Sequence, residues 1–428
     1  MAGNIRKVMR YFKKNGIVNT MYAVIERVFF AYYKDYTYKK PEKPEKEIDE
    51  DILFSIVVPT YETNENHLKE MIESVQKQWY KNWELILADA SSTAKVREAV
   101  EKYSDARINY VKLAKNGGIS ENTNEGILIA KGAYIGLLDH DDLLTEDALY
   151  EVASKIKEEK NAGKVAKVIF SDEDKCNNDG SAFFEPHFKP GYNKELLLTN
   201  NYICHFLVCK AEMMKELLLR KEYDGAQDFD FVLRATSYVN KERKEGKQVS
   251  VCHIGKILYH WRCHENSTAE NPESKMYAYE AGKRAVKTQY ESLGRKYDVK
   301  HGKHLGFYQP DVSSVKELFE QEHNVGIVGG AVYKRNKVVG GAMDEAGNVT
   351  YKGLHKRFGG YMNRAHLMQN TYAVDIRNVV INDSLKELFE AYMAQAKTRG
   401  KKADYKAISL QFCEKVRNLG YEIVYWEP

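Results

Sequence analysis

Three carboxylates and an imidazole stand in a row at Asp139-His140-Asp141-Asp142, immediately after the apolar run 134–138. At the end of a buried strand such carboxylates repel one another. They persist most easily when a divalent cation neutralises them, and hard oxygen ligands suit Mg2+ or Mn2+. The local alternative is that Asp141 or Asp142 caps a helix beginning near Thr145. A second group, Cys252, His253, His260, Cys263 and His264, has zinc-type ligands, but its spacing matches no standard zinc module. The chain carries neither GxGxxG nor GxxxxGKS/T, which excludes an ordinary dinucleotide or P-loop site.

The elements that must position these residues follow from hydrophobic periodicity. Short apolar runs at 54–59, 84–88, 108–113, 134–138 and 165–170 read as buried strands. Helical patterns at 67–78, 95–103, 120–130 and 146–156 separate them. For 67–78, Leu68, Met71, Ile72 and Val75 fall on one face. Such alternation predicts an α/β fold of parallel βαβ units in a doubly covered sheet, with ligands bound beyond the carboxyl ends of the strands. The residues at those ends are Thr60-Tyr61-Glu62, Asp89, Asn116-Gly117-Gly118 and the acidic row at 139–142.

In order, SIVVPTYE, LADASS, KNGGISENTNEGI and LLDHDDLL resemble the nucleotide-binding half of family 2 glycosyltransferases of the GT-A fold. SDEDK (171–175), PHFKP (186–190), GAQDFDFVLR (225–234) and LYHWRCHENST (258–268) extend the resemblance to the bacterial branch that builds cell-surface polysaccharides. It covers about 53–285 and implies a Rossmann-like, mixed, mostly parallel sheet with flanking helices. It also implies an inverting, metal-dependent transferase using a nucleoside diphosphate sugar, with Mn2+ or Mg2+ set against the diphosphate. On that pattern Asp141 holds the metal, Asp139 shares it or reaches the ribose, and His260 is a further ligand. Thr60, Tyr61, Glu62 and Asp89 frame the base and ribose. Gly117 and Gly118 let backbone approach the nucleotide, with Asn116, Asn124 and His140 beside them. Asp228 is the base for the acceptor hydroxyl, and Gln227 replaces the glutamate usual before it. As a plain helix start, the same stretch places Asp228 and Asp230 favourably in the helix dipole. Ala90 and Glu121-Asn122 also depart from the family pattern. His187, Lys189 and Trp261-Arg262 either face the acceptor or diphosphate or pack in the interior.

At 428 residues the chain is long enough for two or three domains, and with 43 % hydrophobic and 29 % charged residues it is globular rather than disordered. We divide it into a basic helical extension and linker (1–50), a catalytic domain (51–285) and a C-terminal α/β partial repeat (286–428). The repeat rests on an internal echo: 199–217 resembles 369–388 and 228–234 resembles 409–415, without the acidic pair. Residues 1–40 hold nine basic and two acidic residues, a net +7 that leaves the rest of the chain at −3. That distribution argues against nucleic acid as a partner. It suits an anionic membrane surface touched by two short amphipathic helices broken at Gly16, or else a helix packed on the body. The longest uncharged stretch, 196–209, is 14 residues, too short to span a bilayer. No leader is evident, and six scattered cysteines fit a reducing compartment. Together these predict a cytoplasmic protein, peripheral on the inner membrane face, extending a lipid-linked glycan. The competing expectation is a catalytically weak nucleotide-sugar-binding scaffold; a processive membrane synthase would need spanning helices.

Overall fold

Strands covered on both faces read as continuous apolar runs, and the first two strands do so. β1 (Phe54–Thr60) is buried at all positions but Pro59, and β2 (Trp83–Asp89) throughout. In the computed structural model, which describes residues 2–29, 36–46, 48–263, 276–399 and 403–427, these strands begin a nine-stranded sheet. The others are β3 (Ile108–Lys112), β4 (Tyr134–Leu137), β5 (Leu143–Leu144), β6 (Val165–Cys176), β7 (Phe183–His187), β8 (Leu207–Lys210) and β9 (Val249–Arg262). Their order is β3-β2-β1-β4-β8-β6-β9-β5, with β7 on β6. β1 pairs in parallel with β2 and β4, and β2 with β3. All four therefore point their carboxyl ends to one edge.

The expected helices flank this sheet. They are α2 (Glu65–Gln76), α3 (Lys95–Val100), α4 (Ile119–Ile129) and α5 (Ala148–Asn161), following the N-terminal α1 (Ala2–Phe29). Asn64 starts α2 by accepting from the amides of Asn66 and His67, and Leu68, Met71, Ile72 and Val75 form its buried face. The sheet departs from an all-parallel reading at β8, which runs antiparallel between β4 and β6. β6 also continues to Cys176 through the acidic run 172–174, where the apolar signal stops. The chain stays in the sheet because histidines meet the acids. Asp172 binds His253 at 2.7 Å, Glu173 binds His187 at 3.1 Å, and Asp174 binds His260 at 2.5 Å.

α6 (Lys194–Leu197) precedes β8, and α7 (Ala211–Leu217), α8 (Gln227–Lys244) and α9 (Met276–Ser292) follow it. In the C-terminal third, Val325–Gly329 lies antiparallel to Val379–Ile381 and parallel to Glu422–Tyr425. β6 stands in the same relation to β8 and β9. The two three-strand units thus share order and sense. Their packing is continuous, since one core cluster contains Phe170, Phe231 and Tyr290 together with Val325, Val424 and Trp426. α1 is broken at Gly16 (φ 74°) into two helical stretches, as expected. Tyr22 of α1 stacks on His355 and Phe358 of the C-terminal unit. Among the described residues no helix is long and apolar enough to cross a membrane. Residues 30–35 and 264–268, including His264, fall within the segments named above and lie outside the described residues.

Candidate active site

β1 and β2 end side by side, with Thr60 paired to Asp89. Asp89 is fully buried and collects donors: Thr60 Oγ1 at 3.2 Å, Ser91 N at 3.0 Å and Oγ at 2.6 Å, Tyr110 Oη at 2.7 Å and Lys112 Nζ at 3.3 Å. Burial alone would raise its pKa; Ser91, Tyr110 and Lys112 outweigh burial and hold it below the usual value. Glu62, in a left-handed conformation (φ 47°), accepts from the amide and hydroxyl of Ser92 at 2.7 Å and from the hydroxyl of Thr93 at 2.7 Å. The Ser92 and Thr93 donors hold it down at about 2. Glu62 therefore locks the β1 and β2 loops together, and Tyr61 stands open beside it.

The third strand end is a closed turn. Asn116 Oδ1 accepts from Gly118 N at 3.1 Å and Asn122 Nδ2 at 2.9 Å, and Gly117 N donates to Asn122 Oδ1 at 3.0 Å. Glycine is required at both positions. A Cβ on Gly118 (φ 96°) would stand 2.6 Å from Asp224, and one on Gly117 would strike Glu121. Asn124 differs from its expected place beside a nucleotide. Both ends of its amide bind the backbone of Leu219 at 2.8 Å, so it fixes α4 to the loop before α8.

The acidic row divides. Asp142 is buried and accepts from Tyr259 Oη at 2.5 Å and Arg262 N at 2.7 Å. Burial, then the charges of Asp141 and Asp139, push its carboxyl well above the usual range. It ties the row to β9, caps no helix, and leaves the set of candidate ligands. Arg262, fully buried, binds Asp141 O at 2.5 Å, Asn178 O at 2.6 Å and Glu70 at 2.7 Å. Asp139 and Asp141 keep side chains 48 % and 21 % exposed, with His140 Nδ1 3.8 Å from Asp141.

A residue absent from the sequence expectations completes this corner. His205 places Nε2 3.9 Å from Asp139 and Nδ1 3.5 Å from Glu173, with its ring stacked 4.8 Å from Tyr259. Burial disfavours its charged form, but Glu173, Asp139 and Asp142 reverse that and raise it to about 9. The crowding of carboxylates is thus eased from within, by the raised proton affinity of Asp142 and by the charge His205 is favoured to carry. Its signal was a lone histidine inside the uncharged stretch 196–209. Lys189 is buried beneath it, donating to Ile203 O at 3.0 Å and to His205 O, and lies 3.4 Å from Glu173. Lys189 and Arg262 therefore take the interior reading.

Asp228, in the first turn of α8, faces the same corner: its charge acts on Asp139, and Asn201 Nδ2 donates to it at 2.9 Å. Gln227 instead accepts from Gly225 N at 2.8 Å and closes the preceding turn.

His260 does not join Asp139 and Asp141. It is buried on Asp174, enclosed by Tyr38 and Phe183 at 4.6 and 4.2 Å, and lines a separate cavity of about 850 Å3 with Tyr36, Glu70, Glu73 and Lys77. Cys252 and His253 bind Ser250 and Asp172 instead of each other. Among the described residues no three His, Cys, Asp or Glu side chains gather as a metal site. A cation that bridges protein to a diphosphate needs only one or two carboxylates, the remaining positions going to phosphate oxygens and water. Asp139 and Asp141 fit that requirement.

Residues 55–221 match the model for Glycosyl transferase family 2. The uncharacterized protein y4gI of Sinorhizobium fredii is 44 % identical over 238 residues, 55 % of this chain and 25 % of that protein. The O-antigen biosynthesis protein RfbC of Myxococcus xanthus is 32 % identical over 253 residues, 58 % of this chain and 19 % of that protein. The chain spans about a quarter or less of these relatives' length. Of solved structures, S. aureus TarS 1–349 aligns with 58 % of this chain and 67 % of its own, at 20 % identity and a TM-score of 0.42.

Proposed function

From the match of residues 55–221 to the Glycosyl transferase family 2 model, we propose that the chain moves a sugar from a nucleoside diphosphate sugar to a growing cell-surface glycan. The observation that carries this reading is that the charges of Asp141 and Asp228 both act on Asp139, which follows β4 at the carboxyl edge of the sheet. Thr60, Tyr61, Glu62 and Asp89 would frame base and ribose, with the 116–118 turn and His140 alongside. Asn124 supports that turn through Leu219 rather than by touching the nucleotide. A Mn2+ or Mg2+ ion held by Asp141 and Asp139 would supply Lewis acidity toward the diphosphate.

Asp228 accepts the proton of the acceptor hydroxyl as that oxygen bonds to the anomeric carbon. The bond to the diphosphate breaks on the opposite face, so configuration inverts in one displacement. The His205 imidazolium beside Asp139 provides a fixed positive charge where the leaving group gathers negative charge. RfbC, named for O-antigen synthesis, supports a surface polysaccharide as product. The basic residues of 1–40 support action on a lipid-linked acceptor at the cytoplasmic membrane face.

The test is a thermal-shift panel of UDP, dTDP, GDP and CDP with and without Mn2+, on the parent and Asp141→Ala. A Mn2+-dependent shift with one nucleotide, lost in the variant, is expected. At about 100 times the dissociation constant it amounts to roughly 2.7 kcal/mol. Retained Mn2+-dependent binding by Asp141→Ala would remove the metal assignment. No shift with any nucleotide would remove the donor site.

A further inference from the structure

At the kink of α1 the helix and the C-terminal unit enclose a surface cavity of about 470 Å3. Its walls are the segment 16–19, Lys303, Arg357 and His366. Among the described residues neither Lys303 nor Arg357 makes an ion pair. Lys303 acts on His366 as a like charge, and the acid acting on His366, Glu427, is bound to Ala331 N at 2.8 Å and Tyr333 Oη at 2.6 Å. Burial, then the charge of Lys303, push His366 toward its neutral form, so two cations, Lys303 and Arg357, converge without a dedicated counter-ion among the described residues. Ile17 on the rim is 71 % exposed, and Met21 and Val24, at helical spacing from it in the stretch after Gly16, are also exposed, as are Met9 and Phe12 in the stretch before it. An apolar stripe beside a cationic cavity is complementary to an amphiphile with a phosphate head.

The cavity is tied to the catalytic corner. Lys303 and His304 lie in the turn between the antiparallel strands Asp298–His301 and Tyr308–Asp311. The His304 ring approaches Tyr11 of α1 at 6.5 Å. Five residues after Lys303, Tyr308 bonds Thr199 O at 2.8 Å and stacks at 5.9 Å on Phe229, the neighbour of Asp228. Five residues reach at most about 18 Å.

We propose that this cavity binds the phosphate of an anionic lipid headgroup, seating the apolar stripe of α1 in the membrane boundary. This extends the reading of a membrane-borne acceptor, but it is read out by lipid binding alone. The nucleotide panel on the same protein therefore shows separately whether the donor site stands.

The experiment is flotation of the full chain with phosphatidylcholine vesicles, with and without phosphatidylglycerol, together with calorimetry against inorganic phosphate. The Lys303→Glu/Arg357→Glu variant should lose at least about 25-fold in binding to the anionic vesicles, about fivefold per cation, with nucleotide shifts unchanged. Ile17→Asp/Met21→Asp should weaken vesicle binding while leaving the cavity's charge intact. Equal binding to both vesicle types, or anionic binding untouched by charge reversal, would overturn the proposal. Binding of inorganic phosphate that charge reversal abolishes, without vesicle binding, would assign the cavity to free phosphate and overturn the lipid.

Discussion

The aspartates near the cleft share one chemistry and end in different states because their neighbours differ. Asp142 is buried against a phenol and an amide and holds its proton to higher pH. Asp230 is buried between Arg220 and Arg234, which fixes it as an ion-pair partner. Asp228 stands two residues earlier, about 200° around the helix. There it meets the neutral donor Asn201, and among the described residues no cation pairs with it. Asp228 thus has no charge partner competing for its carboxylate oxygens, as a base toward an acceptor hydroxyl requires. Asp228→Asn should therefore bind donor normally while its turnover number falls by about 10²- to 10⁴-fold. Turnover close to the parent's in a product-release assay would exclude Asp228 as the base.

At the scale of elements, the site depends on how closely α4 lies on β1 and β2. Gly126 faces the sheet, and a Cβ there would come 2.6 Å from Val57 Cγ1 and 3.6 Å from Ala88. α4 begins at the Gly118 turn, so pushing it outward moves the third strand end as well. Gly126→Ala should cost about 1–3 kcal/mol by overpacking and weaken nucleotide binding with it. An unchanged urea midpoint would show that the interface yields without cost.

Across the whole molecule the nine-stranded sheet unit and the C-terminal unit are joined by buried charge. Arg295 binds Glu195 of α6 at 2.7 and 3.0 Å and reaches Glu322 at 2.5 Å. Burial, then the charge of Glu195, push Glu322 up to about 7 against the pull of Arg295. An unfolded glutamate titrates near 4.3, so the folded state holds this proton more tightly. The resulting stabilisation is complete below about pH 4.3 and is lost as pH rises through about 7. Glu322→Gln cannot titrate. Parent stability should therefore decline relative to the variant between those limits. Melting temperatures that keep a constant gap from pH 4.5 to 8 would exclude this titration.

The alternation of apolar runs and helical faces sufficed to place four parallel strands, and hence the residues at their carboxyl ends, because both signals are local. Thr60, Asp89, the glycine turn and the acidic row stand where those runs end. Which acids remain available was not legible in the same way. Asp142 is withdrawn by Tyr259 and Arg262, more than a hundred residues away in sequence, and His260 is withdrawn by Asp174 across the β6–β9 pairing. His205 reaches Asp139 because β8 inserts antiparallel between β4 and β6. Local sequence sets what a segment forms and which groups it carries. Burial and pairing set the charge and freedom of those groups, and both are properties of contacts that exist only once distant strands have met.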